Sequence, residues 1–148
     1  GAIINSRLRR VVYGASDPAA AIAALVEQVE VRSPETVAAY REKLRQRMQE
    51  VLENTQIDES RILTEAAIFA DKVAVDEETV RLRSHLSQLE DMLEQGGAVG
   101  RKLDFLIQEF NREANTIGSK CSDVALSRVV VELKGEIEKI REQVQNIE

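Results

Sequence analysis

Apolar residues recur in alternating steps of four and three along the C-terminal part of the chain, and this repeat constrains the fold most. They are Leu126, Val130, Leu133, Ile137, Ile140, Val144 and Ile147. This spacing over three heptads predicts a long helix with a coiled-coil-like seam. A seam of that length needs a partner helix of similar length. The partner is either the helix predicted over Pro34 to Val51 of the same chain, or a helix of a second copy.

The composition favours long helices throughout. Of the 148 residues, 43% are hydrophobic and 31% are charged, but only 3% are aromatic, so the core must be aliphatic. We therefore predict an all-α fold, an antiparallel bundle of long amphipathic helices that ends in the coiled-coil-like helix. The expected boundaries are an N-cap at Asp17, a restart or kink at Ser33-Pro34, caps at Asp58 and Asp76, an end at Gly96-Gly97 and an interruption at Gly118-Ser119.

The first sixteen residues have a different pattern. Arg9 to Gly14 is a run of β-branched and aromatic residues that ends at glycine, which predicts a short strand near residues 8–14. The sequence offers no second strand to pair with it. We therefore divide the chain into an N-terminal segment, residues 1–16, and a helical domain, residues 17–148.

The net charge and the cysteine count limit the expected cellular compartment and the expected binding partners. The net charge of −6 argues against a surface covered by nucleic acid, although a local basic groove is compatible with it. Cys121 is the single cysteine, so no internal disulfide forms, and no apolar run approaches the length of a membrane span. We expect a cytoplasmic protein without a membrane partner.

Two polar stripes flank the predicted apolar seams. Lys102, Glu109 and Glu113 share one flank of their helix, and the two carboxylates lie one turn apart, where both can reach one Mg²⁺ or Mn²⁺. His85, near Arg81 on the preceding helix, is either a metal ligand, a general acid or base, or a packed core histidine. On periodicity alone, solvated flanks and a packed histidine are the simpler interpretation of both stripes.

Three stretches resemble the C-terminal domain of the YicC family. They are VRLRSHL at residues 80–86, GRKLDFLIQEFNREANTIGSK at residues 100–120, and the ending from Val131 to Glu148. These matches are long and rich in polar residues. The resemblance covers roughly residues 20–148 and weakens before Asp58.

This resemblance implies a function and a site. It implies an endoribonuclease that cleaves single-stranded RNA with a divalent metal cation, Mg²⁺ or Mn²⁺, as a homo-oligomer; no DNA partner is expected. The expected catalytic residues are Arg81, His85, Lys102, Glu109, Arg112 and Glu113. Of these, we assign His85, Glu109 and Glu113 to the metal on chemical grounds, because imidazole and carboxylates bind such ions. We assign Arg81, Lys102 and Arg112 to the scissile phosphate.

The chain also departs from the family pattern. Family members carry an N-terminal domain of comparable size, which we do not find here, and residues 1–18 instead resemble a segment of tRNA adenosine deaminases. Because the zinc cysteines and the His-x-Glu motif are absent, deamination is not expected. The alternative function is a helical oligomerisation module of such an enzyme, inactive without the N-terminal domain.

Overall fold

The computed structural model of this chain describes residues 17–52, 56, 58–95, 100–121 and 123–147. Within these ranges the chain forms five α-helices and no strand, which confirms the all-α prediction. They are α1 (Pro18–Leu52), α2 (Glu59–Val73), α3 (Asp76–Gln95), α4 (Gly100–Lys120) and α5 (Val124–Ile147). In that part of the chain, no helix has the length and apolarity needed to cross a membrane. The strand predicted near residues 8–14 lies outside the described residues.

Four of the helices close a ring. α1 contacts α3 and α5, and α4 contacts the same two helices from the other side. Ion pairs fix the directions. Along α3 and α4, Glu78 pairs with Lys120 and Arg81 pairs with Glu113, so the two helices run antiparallel. The result is an antiparallel four-helix bundle with an aliphatic core, as the composition predicts.

The second half of α1 leaves the bundle core and pairs with α2. No residue of α1 after Thr36 is buried, whereas α2 buries Ile62 and Ala66 on the face that contacts α1. Tyr40 and Phe69 stack between the two helices with ring centroids 3.9 Å apart. Helices α2 and α3 therefore both pack against α1, with α2 on its second half.

The C-terminal seam is buried within a single chain. Its residues from Leu126 to Val144 are at most 5% exposed and join the core cluster with Ile22, Val26 and Val29 of α1. The prediction that Pro34 to Val51 covers the seam within the chain is wrong. The first half of α1 and helix α4 cover it instead. No second copy is needed to bury these side chains. Oligomer formation stays a prediction.

Local capping follows the sequence in most places. The side chain of Asp17 accepts a hydrogen bond from the Ala20 amide at 3.1 Å, and that of Asp58 accepts one from the Arg61 amide at 3.3 Å. These bonds satisfy amides that a helix start leaves free and confirm two predicted caps. Asp76 is instead the first helical residue of α3. There its negative charge still favours the helix N-terminus.

The helix restart predicted as one alternative at Pro34 and the interruption predicted at Gly118 are both wrong, because each residue lies within a continuous helix. α1 passes through Pro34, where the missing N–H removes one backbone bond, and Thr36 Oγ1 donates to the Ser33 carbonyl at 2.7 Å. α4 likewise passes through Gly118. A β-carbon at Gly118 would lie 3.2 Å from Val130, so this glycine allows α4 and α5 to approach closely. It serves packing rather than helix termination.

Candidate metal centre

The two polar stripes face one another across the α3–α4 contact. On α3, Glu78, Arg81 and His85 recur in steps of three and four, which places them on one face. On α4, Glu109 and Glu113 lie one turn apart on the side that meets this face. Because the helices are antiparallel, residues far apart in sequence become neighbours. The stripes that the sequence offers separately form one polar cluster.

His85, Glu109 and Glu113 converge at the middle of this cluster. One ligand atom from each residue lies within 4.8 Å of the others. The Nδ1 and Nε2 atoms of His85 are both buried, and neither has a hydrogen-bond partner among the described residues. Buried polar atoms without partners are costly, and native proteins usually supply a partner. The imidazole, which packs edge-on against Phe110, is therefore poised to bind something else.

Arg81 fixes one carboxylate of the cluster. Its Nε donates to Oε1 of Glu113 at 2.8 Å, and Glu113 is only 3% exposed. This hydrogen bond raises the pKa of Arg81 despite partial desolvation, and nearby Glu78 and Glu77 add to the shift. One oxygen of Glu113 is thus held in place, and the other is left for a ligand.

A second ion pair lies at the edge of the cluster and was not predicted from the sequence. Lys120 Nζ donates to Oε1 of the buried Glu78 at 2.9 Å. Burial by itself would raise the pKa of Glu78, but the hydrogen bond from Lys120 and the charges of Lys120 and Arg81 outweigh it, so the pKa is lowered. Lys120 lies seven residues after Glu113, as Glu78 lies seven before His85. In two antiparallel helices, this equal spacing brings Lys120 opposite Glu78 when Glu113 lies opposite His85, so the spacing could have predicted the pair.

Because folding lowers the pKa of Glu78, the negative charge of this residue stabilises the fold at pH values above its ordinary pKa of 4.5. That contribution should disappear as the pH falls through the lowered value. We expect Glu78→Gln to be less stable than wild type at pH 7, with the difference shrinking below pH 4.5. Urea unfolding followed by circular dichroism at several pH values measures this. Glu90→Gln, an exposed position on α3, is the matched control. A difference that is independent of pH would contradict the assignment.

The other predicted site residues lie on the outer side of α4. Arg112 is 74% exposed at its side chain and approaches Glu109 at 3.7 Å. Lys102 is exposed two turns before Glu109, about 10 Å away along the helix axis. Neither belongs to the His85 cluster itself, but both face solvent beside it.

The donor set fits a divalent cation. One imidazole nitrogen and two carboxylates supply two negative charges, which balance an M²⁺ ion, and imidazole with carboxylate suits Mn²⁺ better than Mg²⁺. Ligand atoms on one ion at about 2.1 Å are at most about 4.2 Å apart. The ligand atoms lie within 4.8 Å of one another, so they would have to move closer together to bind one ion directly.

The fold and the cluster define a helical domain with a histidine–carboxylate centre between two antiparallel helices. The sequence profile described as "Endoribonuclease YicC-like, C-terminal" matches residues 29–148. The chain therefore belongs to the YicC-like endoribonuclease family, as the sequence resemblance predicted.

Two relatives illustrate the family match. The chain is 52% identical over 124 residues to "Probable endoribonuclease YicC" of Clostridioides difficile (strain 630), which covers 83% of this chain and 42% of that protein. It is 41% identical over 127 residues to the protein of the same name from Haemophilus influenzae (strain ATCC 51907 / DSM 11121 / KW20 / Rd), with 86% and 44% covered. The chain thus spans less than half the length of these relatives. The deaminase resemblance of residues 1–18, most of which lie outside the described ranges, stays a hypothesis, as does the boundary after residue 16.

Proposed function

We propose that this chain is the metal-binding domain of an endoribonuclease that hydrolyses phosphodiesters of single-stranded RNA. Family membership supports RNA cleavage. The observation that carries the metal assignment is the convergence of His85, Glu109 and Glu113, with both imidazole nitrogens buried and lacking partners among the described residues. A merely solvated helix flank would leave these atoms in water. The cluster instead leaves them enclosed, and one of the two imidazole nitrogens can donate its electron pair to an ion.

His85, Glu109 and Glu113 would hold the ion, with Mn²⁺ preferred to Mg²⁺. When bound, a divalent cation supplies concentrated positive charge that offsets the negative charge of a phosphodiester undergoing hydrolysis. The protein contributes by fixing the donors in advance. Helices α3 and α4 are held by the core beneath them, so the cluster is built on rigid elements.

The cationic side chains divide into two roles. Lys102 and Arg112 are exposed beside the cluster, and we assign them to the RNA phosphates. Arg81 was predicted to bind the scissile phosphate as well, but its guanidinium nitrogens face Glu77, Glu78 and Glu113. This geometry suits a positioning residue for Glu113 better than a phosphate clamp.

The direct test is incubation of the 148-residue chain with labelled single-stranded RNA in Mn²⁺, in Mg²⁺ and in EDTA. We expect cleavage with either cation, faster with Mn²⁺, and none with EDTA. Equal cleavage in EDTA would contradict the role of the metal. A folded chain that cleaves nothing would favour the alternative, a helical oligomerisation module. Cleavage would then depend on the part of the relatives that this chain does not match.

Metal binding is measured separately from cleavage. A ligand that binds only the folded state raises the unfolding temperature, so Mn²⁺ should raise that temperature in wild type. The shift should be lost in His85→Ala. Glu142→Gln, an exposed carboxylate on α5, should keep it. An equal shift in all three proteins would show that the ion binds elsewhere.

A further inference from the structure

Phe105 exposes a bare aromatic ring on α4. Its relative exposure is 63%, the highest for any aromatic residue that the structure describes. Phe110 is buried in the core, and Tyr40 and Phe69 stack on one another. Phe105 is also the one large exposed hydrophobic residue of α4. Single exposed hydrophobic residues are common on protein surfaces, so the position of this ring matters more than its exposure. Covering the ring in a complex would be favourable.

The ring lies beside the candidate metal centre. Glu109 follows Phe105 by one helical turn on the same side, about 6 Å along the axis. Lys102 precedes the ring by three residues, and Arg112 follows two turns later at nearly the same angle around the helix. Both cationic side chains are exposed. The ring, the two cationic side chains and the metal ligand Glu109 thus form a row along the outer edge of α4.

We propose that Phe105 is a stacking platform for one nucleobase of the RNA strand. A nucleobase stacked on the ring would place its neighbouring phosphates between Lys102 and Arg112, next to Glu109. Proteins that bind single strands combine aromatic rings with cationic side chains in this way, and every base has a face that can stack. The inference deepens the proposed function and rests on it for the position of the scissile phosphate.

The surroundings of the ring favour a nucleic-acid strand over a second copy of the chain. A protein interface has an apolar centre, whereas the exposed neighbours of Phe105 on α4 are charged or polar. They are Arg101, Lys102, Gln108 and Arg112, with the half-buried Asp104 and Glu109 beside them. A lone ring among charged groups matches a stacked base flanked by phosphates.

The absence of tryptophan in the sequence allows a direct test. Phe105→Trp introduces a single tryptophan at the platform, whose fluorescence can be excited apart from that of tyrosine, and Val131→Trp places one at a 70% exposed position on α5. Both variants are titrated in EDTA with an oligouridylate and with an abasic strand of the same length. We expect saturable quenching by oligouridylate in Phe105→Trp only, and at least about 5-fold weaker affinity for the abasic strand. Phe105→Ala should raise KM for RNA by a similar factor, because it loses the stacked base.

The outcomes separate this inference from the proposed function. Equal quenching by both strands, or in both variants, would overturn the platform. A lower mass of Phe105→Ala in sedimentation would also overturn it, because a second copy would then cover the ring. Base-dependent quenching in a chain that cleaves no RNA would support the platform while the proposed cleavage failed.

Discussion

Replacement of Glu113 by glutamine is expected to lower metal-dependent RNA cleavage by at least about 100-fold, the order seen when a charge-stabilising group is removed from an active site. Glu113 is 3% exposed, accepts a hydrogen bond from Arg81 at 2.8 Å and converges with His85 and Glu109. Glutamine keeps the shape and one acceptor oxygen but loses the negative charge. The rate is measured with labelled RNA under single-turnover conditions in Mn²⁺.

Two controls accompany this variant. Glu142→Gln removes a carboxylate from an exposed position of α5 and should cleave at the wild-type rate. Circular dichroism of Glu113→Gln should show the wild-type helix content, since the substitution is nearly isosteric. A folded Glu113→Gln protein that cleaves within a factor of three of wild type would remove Glu113 from the metal centre.

Truncation of Ile140 to alanine is expected to destabilise the fold by about 2–5 kcal/mol, through lost burial and a residual cavity. Ile140 is 1% exposed and lies in the core cluster formed with α1 and α4. Val131→Ala on the same helix is the matched control, because Val131 is 70% exposed and should change stability by less than about 0.5 kcal/mol. Urea unfolding followed by circular dichroism measures both values.

This experiment also separates the two uses of the C-terminal seam. If the seam packs within the chain, as the structure has it, Ile140→Ala lowers the free energy of unfolding at every protein concentration. A seam that pairs two copies would instead give a loss that depends on concentration, with a lower mass in sedimentation. The second result would contradict the intrachain packing of α5.

The sequence predicted the helices better than their partners. The spacing of seam residues such as Leu133 and Ile137 predicts a helix, because helical periodicity depends only on nearby residues. Which helix covers them depends on the packing of the whole bundle. For the same reason, a restart or kink was predicted at Pro34 and an interruption at Gly118. Their local preference is against helix, yet packing around Thr36 and against Val130 maintains it.

The site was predicted in part. Glu109 and Glu113 share a helix, so their spacing alone brings them together, whereas His85 enters through the resemblance and a chemical choice of ligands. The structure brings all three together. The contact of Arg81 with Glu113 depends on the pairing of α3 with α4 and could not be derived from either helix alone. The same holds for Lys120 and Glu78.

Every side chain of the candidate centre comes from one helical hairpin, α3 and α4, within residues 78–120. The candidate centre is therefore contained in two consecutive helices. Helices α1 and α5 pack against the hairpin without contributing a residue to this cluster, so we expect substitutions that keep their core positions aliphatic to leave it intact. The register between α3 and α4 has no such freedom, because a shift by one turn would leave the imidazole beside at most one of the two carboxylates.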